Sequence, residues 1–260
     1  MPVQSSFEYF QDLKSIIPAT VPIINTSKGL HTDKLQLMTE LIPDALGRDQ
    51  PIVCASGPSF AKELMEGWPT GLVFACENEQ LARESASLFS SPVVRTWTTT
   101  DVVGVQLGGA LKNVYAIASG VLEGLGLGLN TTSLLITRAV AETNRLATAM
   151  GSTEPTLVGL AGIGDLMLTA FGSLSRNRTV GVRLGRGETL DEIMATTNEA
   201  AEGVATTPAA LALARSHNID VPIIEAVDAL LRQQTTPVDA LLSLMGSAEG
   251  PQQVNPERIL

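Results

Sequence analysis

Asp101-Val102-Val103-Gly104-Val105-Gln106-Leu107-Gly108-Gly109-Ala110-Leu111-Lys112-Asn113-Val114 is the stretch at which the chain changes character. Before it, short apolar runs alternate with helical patterns; after it, helical periodicity continues to about Met245. Upstream, helical spacing is read over residues 7–17, 32–41, 60–66 and 79–89, and strand-like runs over 21–26, 51–56, 72–76 and 92–97. Such alternation predicts an α/β layer built on a largely parallel sheet. Ser59, Asp101 and Thr131 have the chemistry of helix N-caps, and Gly151 that of a C-cap. Pro155, Pro208, Pro222 and Pro237 are read as punctuation between helices. The fold class is therefore α/β followed by all-α, divided near residue 100 into an α/β part (1–100), an all-helical part (101–245) and a polar tail (246–260) expected to be poorly ordered.

Composition narrows the function. Of 260 residues, 44% are apolar and 17% charged, which suits a large buried core and not a disordered chain. The net charge of -10 repels nucleic acid, while leaving room for a local basic pocket that takes a small phosphate. Cys54 and Cys76 lie in apolar runs and read as reduced core thiols. His31 and His217 are far apart and lack metal-ligand spacing. No apolar run approaches the roughly 18 residues of a membrane span. Residues 1–10 have neither the basic nor the apolar region of a secretory signal. Gly-x-Gly-x-x-Gly does not occur; the glycines at 124, 126 and 128 and those at 159, 162 and 164 have the wrong spacing for a dinucleotide fingerprint.

Four polar clusters stand in apolar or glycine-rich settings. Lys112 lies between Val105, Leu107, Val114 and Ile117; a desolvated amine there is a candidate general base, and a snorkelling surface lysine is the plain alternative. Gly108 and Gly109 cost the helix about 1 kcal/mol each against alanine, which a close approach to a ligand or another helix would explain. Ser27-Lys28-Gly29 sits at the C-terminal end of a strand, where open α/β sheets bind ligands, or is a solvated turn. Ser56-Gly57-Pro58-Ser59-Phe60-Ala61 is a strand-to-helix turn whose N–H groups can face an anion or carbonyl, or an ordinary helix start. In Gly162-Ile163-Gly164-Asp165-Leu166 a buried aspartate needs a partner, for which Lys112 is the candidate. Ser175-Arg176-Asn177-Arg178 offers a hydroxyl, a guanidinium and an amide to a phosphate or diol, or is a surface loop with an N-cap serine.

Taken together, these blocks resemble the bacterial-type NAD(P)-dependent glycerol-3-phosphate dehydrogenases. The match runs collinearly over about residues 20–245 and also includes Gly126-Leu127-Gly128-Leu129-Asn130-Thr131, Gly159-Leu160-Ala161 and Ala201-Glu202-Gly203. The resemblance implies a partial Rossmann-like sheet followed by a helical substrate part. It implies that Lys112 is the proton acceptor, with Asp165 as its catalytic companion. It implies that Lys28, Gly57, Ser59, Lys112, Asp165, Ser175, Arg176 and Asn177 meet the substrate. Lys28, Ala61, Arg176, Ala200 and Glu202 are implied to touch NAD or NADP. The implied reaction interconverts glycerol 3-phosphate and dihydroxyacetone phosphate, feeding glycerolipid synthesis, in a cytoplasmic homodimer (organellar if a targeting peptide precedes the chain). A nearby Asp165 carboxylate would raise the Lys112 pKa and burial would lower it, a balance that the sequence leaves open.

The family pattern begins with a strand, a glycine-rich turn and a helix that cradle the cofactor pyrophosphate, and Met1 falls after them. The chain is thus expected to start inside the dinucleotide-binding part, to expose a sheet edge, and to lack full activity on its own. Two alternatives stay open: a related hydroxyacid dehydrogenase, and a non-catalytic module that binds partners through its helices.

Overall fold

The computed structural model describes residues 1–152, 155–197 and 201–246. The first part alternates as α1 (Ser6–Asp12), β1 (Ile23–Asn25), α2 (Met38–Leu46), β2 (Ile52–Ser56), α3 (Ala61–Met65), β3 (Thr70–Ala75), α4 (Glu79–Phe89) and β4 (Val94–Thr99). The sheet order is β1-β2-β3-β4. β1 and β2 are parallel, as are β3 and β4, but β2 and β3 run antiparallel. The physical reason lies in α3, which is five residues long and buries none of them. It does not cross the sheet as a helix joining parallel neighbours must, so the chain doubles back. Among the described residues no strand pairs with the outer edge of β1, and an open cleft of about 510 Å³ runs between that edge and α1.

Four local expectations are corrected. The second helix starts at Met38, not at 32, because residues 31–36 form turns in which the Leu35 N–H donates to the His31 carbonyl and Leu35 takes φ 52°. Ser59 does not cap α3; its hydroxyl donates to the Gly57 carbonyl, and the extended residue before the helix is Phe60. Thr131 lies inside α6 (Leu129–Ala149), whose N-cap is Gly128. Pro208 likewise sits within α10 (Glu202–Ser216), whereas Pro222 and Pro237 open α11 (Pro222–Leu231) and α12 (Pro237–Gly246). Ala200, and the expected tail from residue 247 onward, lie outside the described residues.

The helical part is organised around α5 (Val102–Gly124). Asp101 caps it by accepting from the Gly104 N–H at 2.9 Å, and Ser152 donates to the second carboxylate oxygen at 2.7 Å. Leu107 to Leu122 are all buried, as expected for a helix wrapped on every side. α8 (Arg176–Gly185) crosses it at glycines: a Cβ on Gly120 would meet the Arg178 carbonyl at 2.1 Å, and one on Gly181 the Ile117 carbonyl at 2.0 Å. Behind α5, the fully buried Glu142 of α6 accepts the Ile223 and Ile224 N–H groups at the start of α11 and the Tyr115 hydroxyl of α5. Burial pushes its pKa up to about 7 against those hydrogen bonds. Cys54 and Cys76 are buried free thiols, and burial pushes Cys54 up to about 12. Among the described residues no helix is long and apolar enough to cross a membrane.

Candidate active site

The C-terminal ends of β1 and β2 point at the middle of α5. Lys28 lies three residues beyond β1, and its stem crosses α5 at Gly109, where a Cβ would stand 3.3 Å from Lys28 Cγ and 3.1 Å from Ser56 Oγ. The missing side chain thus makes room for a second lysine beside Lys112. Gly108 serves another approach, since a Cβ there would meet the Ala161 carbonyl at 2.5 Å. Ala161 belongs to a π-helical turn, Leu160–Gly164, that leads directly into α7 (Asp165–Phe171). Such turns concentrate at functional sites, and this one delivers Asp165 between the two lysines.

Asp165 is fully buried. Lys28 Nζ donates to its Oδ2 at 2.5 Å and to the Gly57 carbonyl at 3.1 Å, while Lys112 Nζ donates to Oδ1. Ser56 Oγ adds a third donor, 3.4 Å from Oδ2. A buried carboxylate with two cationic partners satisfies the rule that buried charges are paired, and the triad keeps one net positive charge. Burial, and then the Lys28 ammonium, lower the Lys112 pKa to about 8 against the pull of Asp165. Desolvation and the like charge thus outweigh the ion pair, which settles the balance left open by the sequence.

A second chain of hydrogen bonds ties the site to α8 and α10. Asn113 Nδ2 donates to the Lys28 carbonyl at 3.3 Å, Asn177 Nδ2 donates to Asn113 Oδ1 at 2.9 Å, and the Gly203 N–H donates to Asn177 Oδ1 at 2.8 Å. Ser175 is buried, caps α8 by accepting from the Arg178 N–H at 3.2 Å, and borders the cleft. Lys28, Ser59, Ala61, Lys112, Ser175, Arg176, Asn177 and Glu202 converge on one open cleft of about 540 Å³. Burial raises the Glu202 pKa there, with Arg176 working against it. Asp165 and Gly57 do not face the cleft; they stand behind the lysines. Asn113, read in the sequence as the polar neighbour of Lys112 but given no role, and Thr169, not singled out, also face it. The signal for Asn113 was present: an amide buried in an apolar helix requires partners.

Ala61, Arg176 and Glu202 border the cleft together with both lysines, a mixed polar and apolar wall. A sheet layer joined to a helical part, with a polar cleft at the strand ends where they meet, is the architecture of the two-part nicotinamide-dependent dehydrogenases.

Comparison with known proteins makes that specific. Residues 101–242 match the model of the NAD-dependent glycerol-3-phosphate dehydrogenase C-terminus, and residues 1–82 that of the N-terminus. The chain is 46% identical over 246 residues to the chloroplastic glycerol-3-phosphate dehydrogenase [NAD(+)] 2 of Arabidopsis thaliana, covering 94% of this chain and 59% of that protein. It is 45% identical to the glycerol-3-phosphate dehydrogenase [NAD(P)+] of Lawsonia intracellularis, covering 94% and 69%. The crystal structure of glycerol-3-phosphate dehydrogenase from Coxiella burnetii superposes with a TM-score of 0.90 at 34% identity, covering 95% of this chain and 75% of that one. The chain belongs to the NAD-dependent glycerol-3-phosphate dehydrogenase family, and spans 59% of the length of the Arabidopsis thaliana protein and 56% of a chloroplastic relative from Oryza sativa.

Proposed function

We propose that the protein serves as an NAD(P)-dependent glycerol-3-phosphate dehydrogenase in which Lys112 is the general base. The observation that carries this reading is the buried Lys28–Asp165–Lys112 triad set against a cleft that also holds Arg176. Residues 1–100 are read as the cofactor-facing part and 101–245 as the substrate part.

Glycerol 3-phosphate must lose a hydroxyl proton as hydride leaves its carbon. With a pKa of about 8, Lys112 is neutral in a useful fraction at neutral pH and takes that proton, and its ammonium returns one to the ketone oxygen in the reverse direction. Asp165 holds Lys112 in place and stabilises the ammonium once formed. Lys28 opposes that gain, keeping Lys112 from being locked in the charged state. Arg176 and Asn177 at the start of α8 hold the phosphate, helped by the helix N-terminus. Ala61, Arg176, Glu202 and Lys28 border the place for NAD or NADP, which when bound supplies the hydride acceptor. Asp165 and Gly57 are assigned to support of the lysines and not to direct substrate contact, because neither faces the cleft.

We place the protein in the cytoplasm as a homodimer. Two similar plant proteins are named chloroplastic, and either compartment suits buried reduced thiols. A panel of phosphorylated and carboxylated alcohols with NAD and NADP, read at 340 nm, tests the reading. Oxidation confined to glycerol 3-phosphate is expected; preference for a hydroxyacid would refute it.

A further inference from the structure

The segment from Lys28 to the first turn of α2 is held against α5 at both ends, by two residues on one stripe of that helix. At one end, Asn113 donates to the Lys28 carbonyl. At the other, Gln106 and Thr39 exchange hydrogen bonds: the Thr39 N–H donates to Gln106 Oε1 at 3.2 Å and Gln106 Nε2 donates to Thr39 Oγ1 at 2.9 Å. Gln106 and Asn113 are seven residues apart, two helical turns, and Gly109 between them is where the Lys28 stem crosses. The segment between Lys28 and Thr39 can transmit position. Leu30, His31, Leu37 and Met38 are buried, Gln4 bridges the Leu30 carbonyl and the Thr32 N–H, and the Leu35 N–H donates to the His31 carbonyl.

We propose that Gln106 is a positioning residue of the active site: its paired hydrogen bonds with Thr39 set the Lys28 loop against α5, so that Lys28 Nζ reaches Asp165 beside Lys112. Gln106 touches neither lysine and acts only through the loop. The proposal rests on the assignment of Lys112 and Lys28 to the site, but its consequence is readable without turnover. Lys28 and Asp165 are the charged groups in contact with Lys112; Arg176 and Glu202 face the same cleft, and Tyr115 borders a small void behind it. Lys28 holds the Lys112 pKa down, and it also occupies the second oxygen of Asp165. Withdrawing Lys28 removes the like charge and frees Asp165 for Lys112. Both changes favour the ammonium, so the sign of the effect is fixed.

The chain holds only Lys14, Lys28, Lys34, Lys62 and Lys112, so a spectrum of ¹³Cε-labelled lysine is simple, and Lys112→Met assigns the resonance. In Gln106→Leu the Lys112 titration midpoint is expected to rise from about 8 by half a pH unit or more. Gln106→Glu keeps the acceptor for the Thr39 N–H and can accept the Thr39 hydroxyl, so it is expected to return the midpoint toward wild type. If Gln106→Leu does not fold, Thr39→Val removes one of the two bonds from the other side and is expected to shift the midpoint in the same direction. An unchanged Lys112 midpoint in the folded variant, with only thermal stability reduced, overturns the proposal. Because the titration needs neither cofactor nor substrate, an inactive chain or a Lys112→Ala variant that still turns over would contradict the proposed reaction and leave this test intact.

Discussion

At the residue scale the account turns on how one carboxylate is shared. Asp165 supplies one oxygen to each lysine, so Asp165→Asn removes the one negative charge that opposes the two cations. Breaking a buried ion network from one side costs about 3–5 kcal/mol. We expect a loss of that order in urea unfolding, together with a Lys112 pKa below its present value of about 8, because Asp165 is the group that raises it. A variant as stable as wild type would show that Asp165 is not the keystone. Gly109→Ala tests the neighbouring space: its Cβ would stand 3.3 Å from Lys28 Cγ and 3.1 Å from Ser56 Oγ, so both must yield. The expected outcome is weakened substrate binding, seen as a raised KM, with little change in secondary structure by circular dichroism.

At the element scale, two junctions make separate predictions. α5 and α8 meet through backbone at Gly120 and Gly181, where a methyl group has no room against a carbonyl at 2.1 Å or less. Gly120→Ala should cost about 1–3 kcal/mol by overpacking, and a neutral result in chemical denaturation would mean that the two helices separate easily. Glu142 joins α5, α6 and α11. Its pKa is about 7 in the folded chain against 4.5 for the free group, so the folded state holds the proton more tightly. The stability this contributes is fully present below pH 4.5 and is lost as pH rises through 7, a change of roughly 3 kcal/mol. Glu142→Gln should flatten that part of the pH–stability curve. A variant that keeps the wild-type slope between those pH values would place the titrating group elsewhere.

The whole molecule shows what the sequence could carry. Alternation before Asp101 and helical periodicity after it gave the layer order, because periodicity reports which face each element buries. The antiparallel turn between β2 and β3 was not legible, since a five-residue helix and a crossover helix begin with the same letters. Nor was the late start of α2: residues 32–41 have helical spacing, but the hydrogen bonds around His31 and Leu35 hold turns there instead. Of the site, Lys112 and Asp165 stood out as charges in apolar surroundings, and the structure pairs them. What stayed hidden depended on contacts distant in sequence. Lys28 reaches Asp165 across 137 positions, and Asn113 links a strand end to α8 and α10. Those contacts exist only once the sheet layer and α5 have packed together.

The claim that Lys112 is the base is tested most directly by the pH dependence of glycerol 3-phosphate oxidation at saturating NAD, measured for the wild-type chain and for Lys112→Ala. The account predicts a wild-type rate that rises with pH through an apparent pKa of about 8, and a Lys112→Ala variant that lacks that rise and is slower by about 100-fold or more above it. Near wild-type turnover by Lys112→Ala, with the same pH profile, would contradict it.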